Sequence, residues 1–239
     1  MATRIQRAYR FCRGDGSLTI AVGILVVWLF VLTPLREIHE ISGLAGDLVF
    51  AAFLAFGAMF VLEPRPVMRL FLIFLAATMF VRIIDTLAAS RALDALNAAL
   101  TAVSVSLLGI LFLVRVLRDG RINVHRIMGA VGAFLLIGVL FSQGYRLIAL
   151  FFDGAFAMGG APAASADFVP RVNYFSFVTL TSLGYGDITP VHPYARTLVM
   201  LEALTGQLFL AILVARLVAM EIDWRYDRRA TGDDQIDRS

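Results

Sequence analysis

The chain has 239 residues, 59% hydrophobic and 16% charged, with a formal net charge of +3 in which every basic side chain is arginine. Mean hydropathy is +0.81, a balance that excludes an ordinary soluble domain. The arginines cluster between apolar runs, as membrane topology requires, and form no basic, aromatic-interleaved face of the kind a nucleic-acid partner needs. Cys12 is the single cysteine, so no intrachain disulfide is available.

Residues 1–17 carry Arg4, Arg7, Arg10 and Arg13 at a spacing of three, along one side of a helix, with Ile5, Tyr9 and Phe11 interleaved. An interfacial cytoplasmic segment on lipid headgroups fits these residues; a disordered basic tail fits them too. The first apolar run, 18–32, is followed by Thr33-Pro34-Leu35-Arg36 and no small-x-small cleavage site, so it reads as a retained first span. Spans two, three and four are predicted at 44–62, 67–84 and 96–116. The Glu63-Pro64-Arg65-Pro66 break and a charged loop at 85–94 separate them.

A fifth span covers 127–148. The stretch from Asp153 to Arg171 is rich in Gly, Ala, Pro and Ser and predicts an extracellular turret without regular structure. Residues 173–181 are too few to cross a bilayer, and Tyr174, Phe175 and Phe177 suit a re-entrant helix buried in protein. The sixth span covers 196–220, with Glu202 and Gln207 polar in its outer half. The tail, 221–239, is short, charged and too small for a folded sensor domain. With alternate gaps assigned to the inside, fifteen arginines fall inside and six outside, which puts both termini in the cytoplasm.

Between spans five and six lies Thr181-Ser182-Leu183-Gly184-Tyr185-Gly186-Asp187. It resembles the pore signature of potassium channels, Thr-Thr-Val-Gly-Tyr-Gly-Asp, with Ser182 for the second Thr and Leu183 for Val. The close resemblance covers about 127–220; spans one to four match only in number and position. It implies an all-α membrane protein: six transmembrane helices, with a re-entrant pore helix and a selectivity-filter loop between helices five and six. The regions are then a cytoplasmic N-terminal segment (1–17), a four-helix region placed like a voltage sensor (18–118), a pore domain (127–220) and a cytoplasmic tail (221–239), in a bacterial plasma membrane.

A dry potassium ion needs rings of oxygens in place of its water, and four extended strands with inward carbonyls supply them. Gly184 and Gly186 can take the backbone angles that let successive carbonyls face one way. The resemblance implies ion ligands at the carbonyls of Ser182, Leu183, Gly184 and Tyr185, with Gly186 completing the filter and the Ser182 hydroxyl adding an inner ring. Leu183 and Tyr185 would point away from the ions. Asp187 is expected at the outer mouth, within reach of a pore-helix hydrogen bond. One motif per chain implies a homotetramer. The partners expected are further copies of the chain, membrane lipids and potassium as the permeant ion, with no nucleic acid and no cofactor.

Three features carry two readings each. Gly206, twenty residues past Gly186, is where inner helices of potassium channels carry a hinge; close packing is the other reading. Glu202 either braces the fold by snorkelling or bonding a pore-helix group, or titrates behind the filter and tunes conduction. Arg115, Arg118 and Arg121 repeat at voltage-sensor spacing, yet 96–114 hold no basic residue and Asp119-Gly120 interrupts the row, which favours positive-inside anchoring.

The rival functions are a nonselective cation channel, against which Tyr185 speaks, and a non-conducting regulatory subunit, against which the intact signature speaks. A transporter of the potassium-uptake type would need four such loops in one chain. An enzyme is not expected: His39, His125 and His192 are isolated in predicted loops, with no nucleophile–base or metal-ligand spacing. Voltage, pH, lipid, membrane tension and constitutive leak all remain as opening stimuli.

Overall fold

The computed structural model describes residues 16–35, 52, 65–88, 90–116 and 124–236. The basic N-terminal segment through residue 15, nearly all of the expected second span, and Arg118 and Arg121 lie outside the described residues, as does the side chain of Arg115.

Helix α1 is Gly16–Val27, continued by a π-helical turn at Trp28–Leu32. That turn is closed at Thr33, whose N–H and Oγ1 both donate to the Trp28 carbonyl, the latter at 3.1 Å. Helix α2 is Arg65–Ala88, with Pro66 in its first turn, where a missing N–H costs no intrahelical bond. Helix α3 is Arg91–Val116.

The loop expected at 85–94 is therefore much shorter. Ser90 accepts a bond from the Ala92 N–H (3.3 Å) and its carbonyl accepts one from Asp94, which starts α3 at once. The charges read as loop formers sit instead in the terminal turns of two helices.

Helix α4, Val124–Phe151, is the hub. Its apolar face packs on α1 and α3 through Ala21, Val22, Leu25, Leu108, Phe112, Leu136 and Val139. At one end α3 is tied by charge to α4 and to the turn after it: Arg146 meets Asp94 at 2.5 Å, and Arg91 meets Asp153 at 3.5 Å.

The segment after α4 corrects the expectation of an irregular turret, and with it the expectation of a purely helical chain. Strands β1 (Phe156–Met158), β2 (Ala161–Pro162) and β3 (Ile188–Pro190) form a small antiparallel sheet in the order β2-β1-β3. Ala157 pairs with Pro162 on one side and Thr189 on the other. The two-residue turn between β1 and β2 is Gly159-Gly160, at φ 58° and 84°, the left-handed pair that a tight hairpin requires. Beneath the sheet an aromatic cluster closes: Phe156 stacks on Phe168 at 3.9 Å between centroids, and Phe175 meets Tyr145 edge-on at 5.0 Å. Small apolar residues read as filler are thus strand and core residues.

A short helix α5 (Ser165–Phe168) and a 3-10 turn (Val169–Arg171) lead into α6, Val172–Leu180. At ~1.5 Å per residue, α6 is about 13 Å long, less than half a bilayer core. Helix α7, Pro193–Ile236, is continuous for 44 residues. It begins three residues before the expected span and runs on through most of the expected tail. Among the described residues, three helices are long and apolar enough to cross a membrane: 91–114 of α3, 127–151 of α4 and 193–216 of α7.

Candidate functional site

Residues 181–187 fold back from the C-terminal end of α6. Thr181 ends the helix near αR geometry, and its Oγ1 donates to the Phe177 carbonyl at 2.7 Å. The next N–H groups turn back onto the helix: Ser182 to the Thr179 carbonyl (2.9 Å), Leu183 and Gly184 to that of Val178 (2.9 and 3.3 Å). Those bonds occupy carbonyls that a helix end otherwise leaves open.

From there φ alternates in sign. Ser182, Gly184 and Gly186 lie at +57°, +57° and +77°, while Leu183 and Tyr185 are not in the positive region. In an ordinary strand, peptide planes alternate in direction; reversing φ at every second residue turns each second plane round. Alternation of this kind is what lets successive carbonyls share one side. Among the described residues, no donor reaches the carbonyl oxygens of Ser182, Leu183, Gly184 or Tyr185. A bare row of backbone oxygens on one side of a strand is a set of hard ligands for a cation without strong dehydration demands. Ser182 is the one non-glycine residue with positive φ among those described, a conformation costing ~1–2 kcal/mol for an L residue.

The segment is held at both ends. At the Asp187 end, the Tyr174 hydroxyl donates to Asp187 Oδ2 at 2.9 Å, and the Gly159 N–H of the hairpin turn donates to the Asp187 carbonyl at 3.3 Å. The bond to Asp187 pushes the Tyr174 phenol above its ordinary pKa. At the Ser182 end, Gln207 Nε2 of α7 donates to Ser182 Oγ at 2.9 Å.

Behind α6 lies a buried carboxylate. Glu202 is 0% exposed and accepts from Tyr145 of α4 and Ser176 of α6, both at 2.5 Å. Ser176 Oγ also lies 2.7 Å from the Gly138 carbonyl. A hydroxyl has one hydrogen, so Ser176 shares a single proton between two acceptors. Glu202 therefore bonds across three helices and does not reach toward solvent.

One turn further along α7, a Cβ on Gly206 would run into the Leu180 carbonyl oxygen, and the helix passes through without a break. On α4, a Cβ at Gly138 would meet the Phe177 ring at 2.7 Å. Both glycines let a transmembrane-length helix lie against α6.

The structure thus brings Glu202, Gly206 and the 181–187 segment together around α6. Tyr145 and Ser176 do not stand out in the sequence, Tyr174 does so only as an aromatic of the short helix, and Gln207 only as polar. The available signal was the rule that a polar side chain inside an apolar span needs a partner. Applied to Glu202 it points to a bond with a pore-helix group, which Ser176 supplies; applied to Gln207 it would have pointed to Ser182. His192, read as an isolated loop residue, stacks on Phe152 at 4.2 Å between ring centroids.

Comparison with known proteins follows the same stretch. Residues 147–222 match a family described as ion channel. The chain is 41% identical over 59 residues to the inward rectifier potassium channel Kirbac3.1 of Paramagnetospirillum magnetotacticum, which covers 25% of this chain and 18% of that protein. It is 36% identical over 73 residues to the potassium voltage-gated channel protein shk-1 of Caenorhabditis elegans, covering 30% of this chain and 14% of that protein. The matched stretch is thus less than a fifth of either relative. No solved structure matches.

Proposed function

We propose, for a chain whose residues 147–222 carry an ion channel domain of the potassium-channel family, that it conducts potassium passively across a membrane as a homotetramer. The observation that carries this reading is the alternating φ of 182–186 with its unbonded carbonyls. One chain provides one quarter of each oxygen ring; fourfold symmetry closes it. The carbonyls of Ser182, Leu183, Gly184 and Tyr185 and the Ser182 hydroxyl are the ligands, with Gly186 completing the strand. Asp187, oriented by Tyr174, supplies a carboxylate ring at the outer mouth that concentrates cations.

In this reading α6 is the re-entrant pore helix, and its C-terminal carbonyl dipoles face the central cavity. Helices α4 and α7 are the outer and inner helices of the pore. Six spans with both termini cytoplasmic place the signature outside, and the arginine distribution supports that orientation in a bacterial plasma membrane. Helix α3 stands where a voltage sensor would, but 96–114 carry no basic residue, so it serves as a static wall. Glu202 links the inner helix to the pore helix and is the group through which pH acts on the filter.

Purified protein in liposomes, with potassium and sodium flux measured while voltage and internal pH are varied separately, tests the proposal. Potassium flux well above sodium flux is the expected result. Equal fluxes would establish a nonselective pore, and absence of flux from assembled tetramers would establish a regulatory subunit.

A further inference from the structure

The geometry points to Gln207 as a positioning residue for the innermost ion site, an inference that rests on the potassium-channel reading above. Ser182 occupies a left-handed backbone position, and two bonds hold it there. Its N–H goes to the Thr179 carbonyl at 2.9 Å, and its Oγ takes the Gln207 amide at 2.9 Å. The first bond comes from the pore helix, the second from the inner helix.

A serine hydroxyl has two lone pairs and one hydrogen. With Gln207 on one lone pair, a second lone pair remains to face a cation, and the oxygen cannot swing freely about the Cα–Cβ bond. The height of Gln207 is set by its own helix. Gly206, the preceding residue, lies against the Leu180 carbonyl, and Glu202 is bonded to Ser176 one turn above. These contacts bring the α7 backbone close enough for a glutamine side chain to span the gap to Ser182.

Selection of potassium over sodium at a hydroxyl ring depends on oxygens that do not close in on the smaller ion. An anchored Ser182 oxygen keeps its distance; an unanchored one follows the ion inward. Gln207 thereby acts on selectivity through Ser182, without itself touching the ion. A side chain that merely filled space at 207 would stabilise the assembly and leave the flux ratio alone.

The test is a double-mutant cycle on reconstituted full-length protein: wild type, Gln207→Leu, Ser182→Ala and the double variant. Potassium and sodium flux are read from the same liposomes, and tetramer integrity is checked by size. Gln207→Leu is expected to lower the potassium-to-sodium flux ratio about fivefold, the factor that one net hydrogen bond carries, with tetramers intact. In the Ser182→Ala background the same change at 207 is expected to do nothing, because the group it acts through is gone.

Additive effects, or an unchanged ratio in Gln207→Leu, would overturn the inference. If Gln207→Leu does not assemble, Gln207→Met, similar in length and without the donor, carries the same cycle. A wild type without selective flux would instead overturn the channel reading, and this inference with it.

Discussion

Helix α4 is held by different forces on its two sides. Toward α1 and α3 the contact is a cluster of Leu, Val, Ala and Phe side chains, and below the Asp94–Arg146 pair the hydroxyls bond their own helices: Thr78 to Phe74, Ser104 to Leu100, Ser106 to Ala102. Toward α6 and α7, where Thr179 likewise bonds its own helix, two hydroxyls bond across elements: Tyr145 to Glu202, and Ser176 to Glu202 and Gly138. Apolar contacts between helices in a membrane compete with equally apolar lipid, so they gain little from burial and specify shape loosely. A hydrogen bond between helices fixes one atom against another, and its absence leaves polar groups in a medium that cannot solvate them. The apolar side can vary and still pack. The bonded side ties α6, from whose end the 181–187 segment continues, to both α4 and α7.

The largest effect is expected where the segment itself is altered. Within its own chain a Cβ at Gly184 would meet nothing within 4 Å, so Gly184→Ala tests the backbone angle, at φ +57°, together with any approach of neighbouring copies. With a strain of ~1 kcal/mol or more in each of four chains, potassium flux is expected to fall by about a hundredfold or more while tetramers persist. Normal selective flux from this variant would sink the proposed register of the filter.

A paired glycine experiment sharpens the contrast between the two sides. Gly206→Ala places a methyl group on the Leu180 carbonyl oxygen, and a loss of about 1–3 kcal/mol in assembly stability is expected. On the apolar side, a Cβ at Gly109 would meet Leu136 at an ordinary 3.7 Å. Gly109→Ala is therefore expected to be neutral, or to stabilise α3 by about 0.5–1 kcal/mol through helix propensity. Thermal unfolding in detergent ranks the two; equal shifts would erase the distinction drawn here.

A smaller, conditional effect is expected at Glu202. Gln keeps an acceptor for Tyr145 and a polar atom for Ser176 but cannot gain or lose a proton near neutrality. The single hydrogen of Ser176, shared between Glu202 and the Gly138 carbonyl, is the route by which a change of protonation at Glu202 would reach α6. Wild-type activity is expected to vary with pH, and Glu202→Gln to be flat with its tetramers intact. Superimposable pH–activity curves would make Glu202 a brace and nothing more.

The smallest effect is expected on the α3 side. Arg118 follows a span without basic residues from 96 to 114, so neutralising it moves no charge through the membrane field. Arg118→Gln should leave the steepness of any conductance–voltage curve unchanged. A clear loss of steepness would show that this region works as a sensor.

The sequence by itself determined the three long apolar helices, 91–114, 127–151 and 193–216, and the place of the signature between the last two. Apolar length reports directly on a bilayer's thickness, and a seven-residue row such as Thr181 to Asp187 has few structural meanings between two spans. Local chemistry also carried the positive φ at Gly184 and Gly186, since glycine is the residue that accepts it without strain. Tertiary structure alone decided the rest. Gly159-Gly160 was a hairpin signal lost among Gly, Ala and Pro, because β1 needs β3, thirty residues on, before its pairing is worth having. Glu202 finds Ser176 and Tyr145 at separations of 26 and 57 residues, and Gln207 finds Ser182 at 25. Periodicity shows which face of a helix is polar; which partner meets it depends on how three helices cross, and in this chain that is set by Gly138 and Gly206 letting them approach α6.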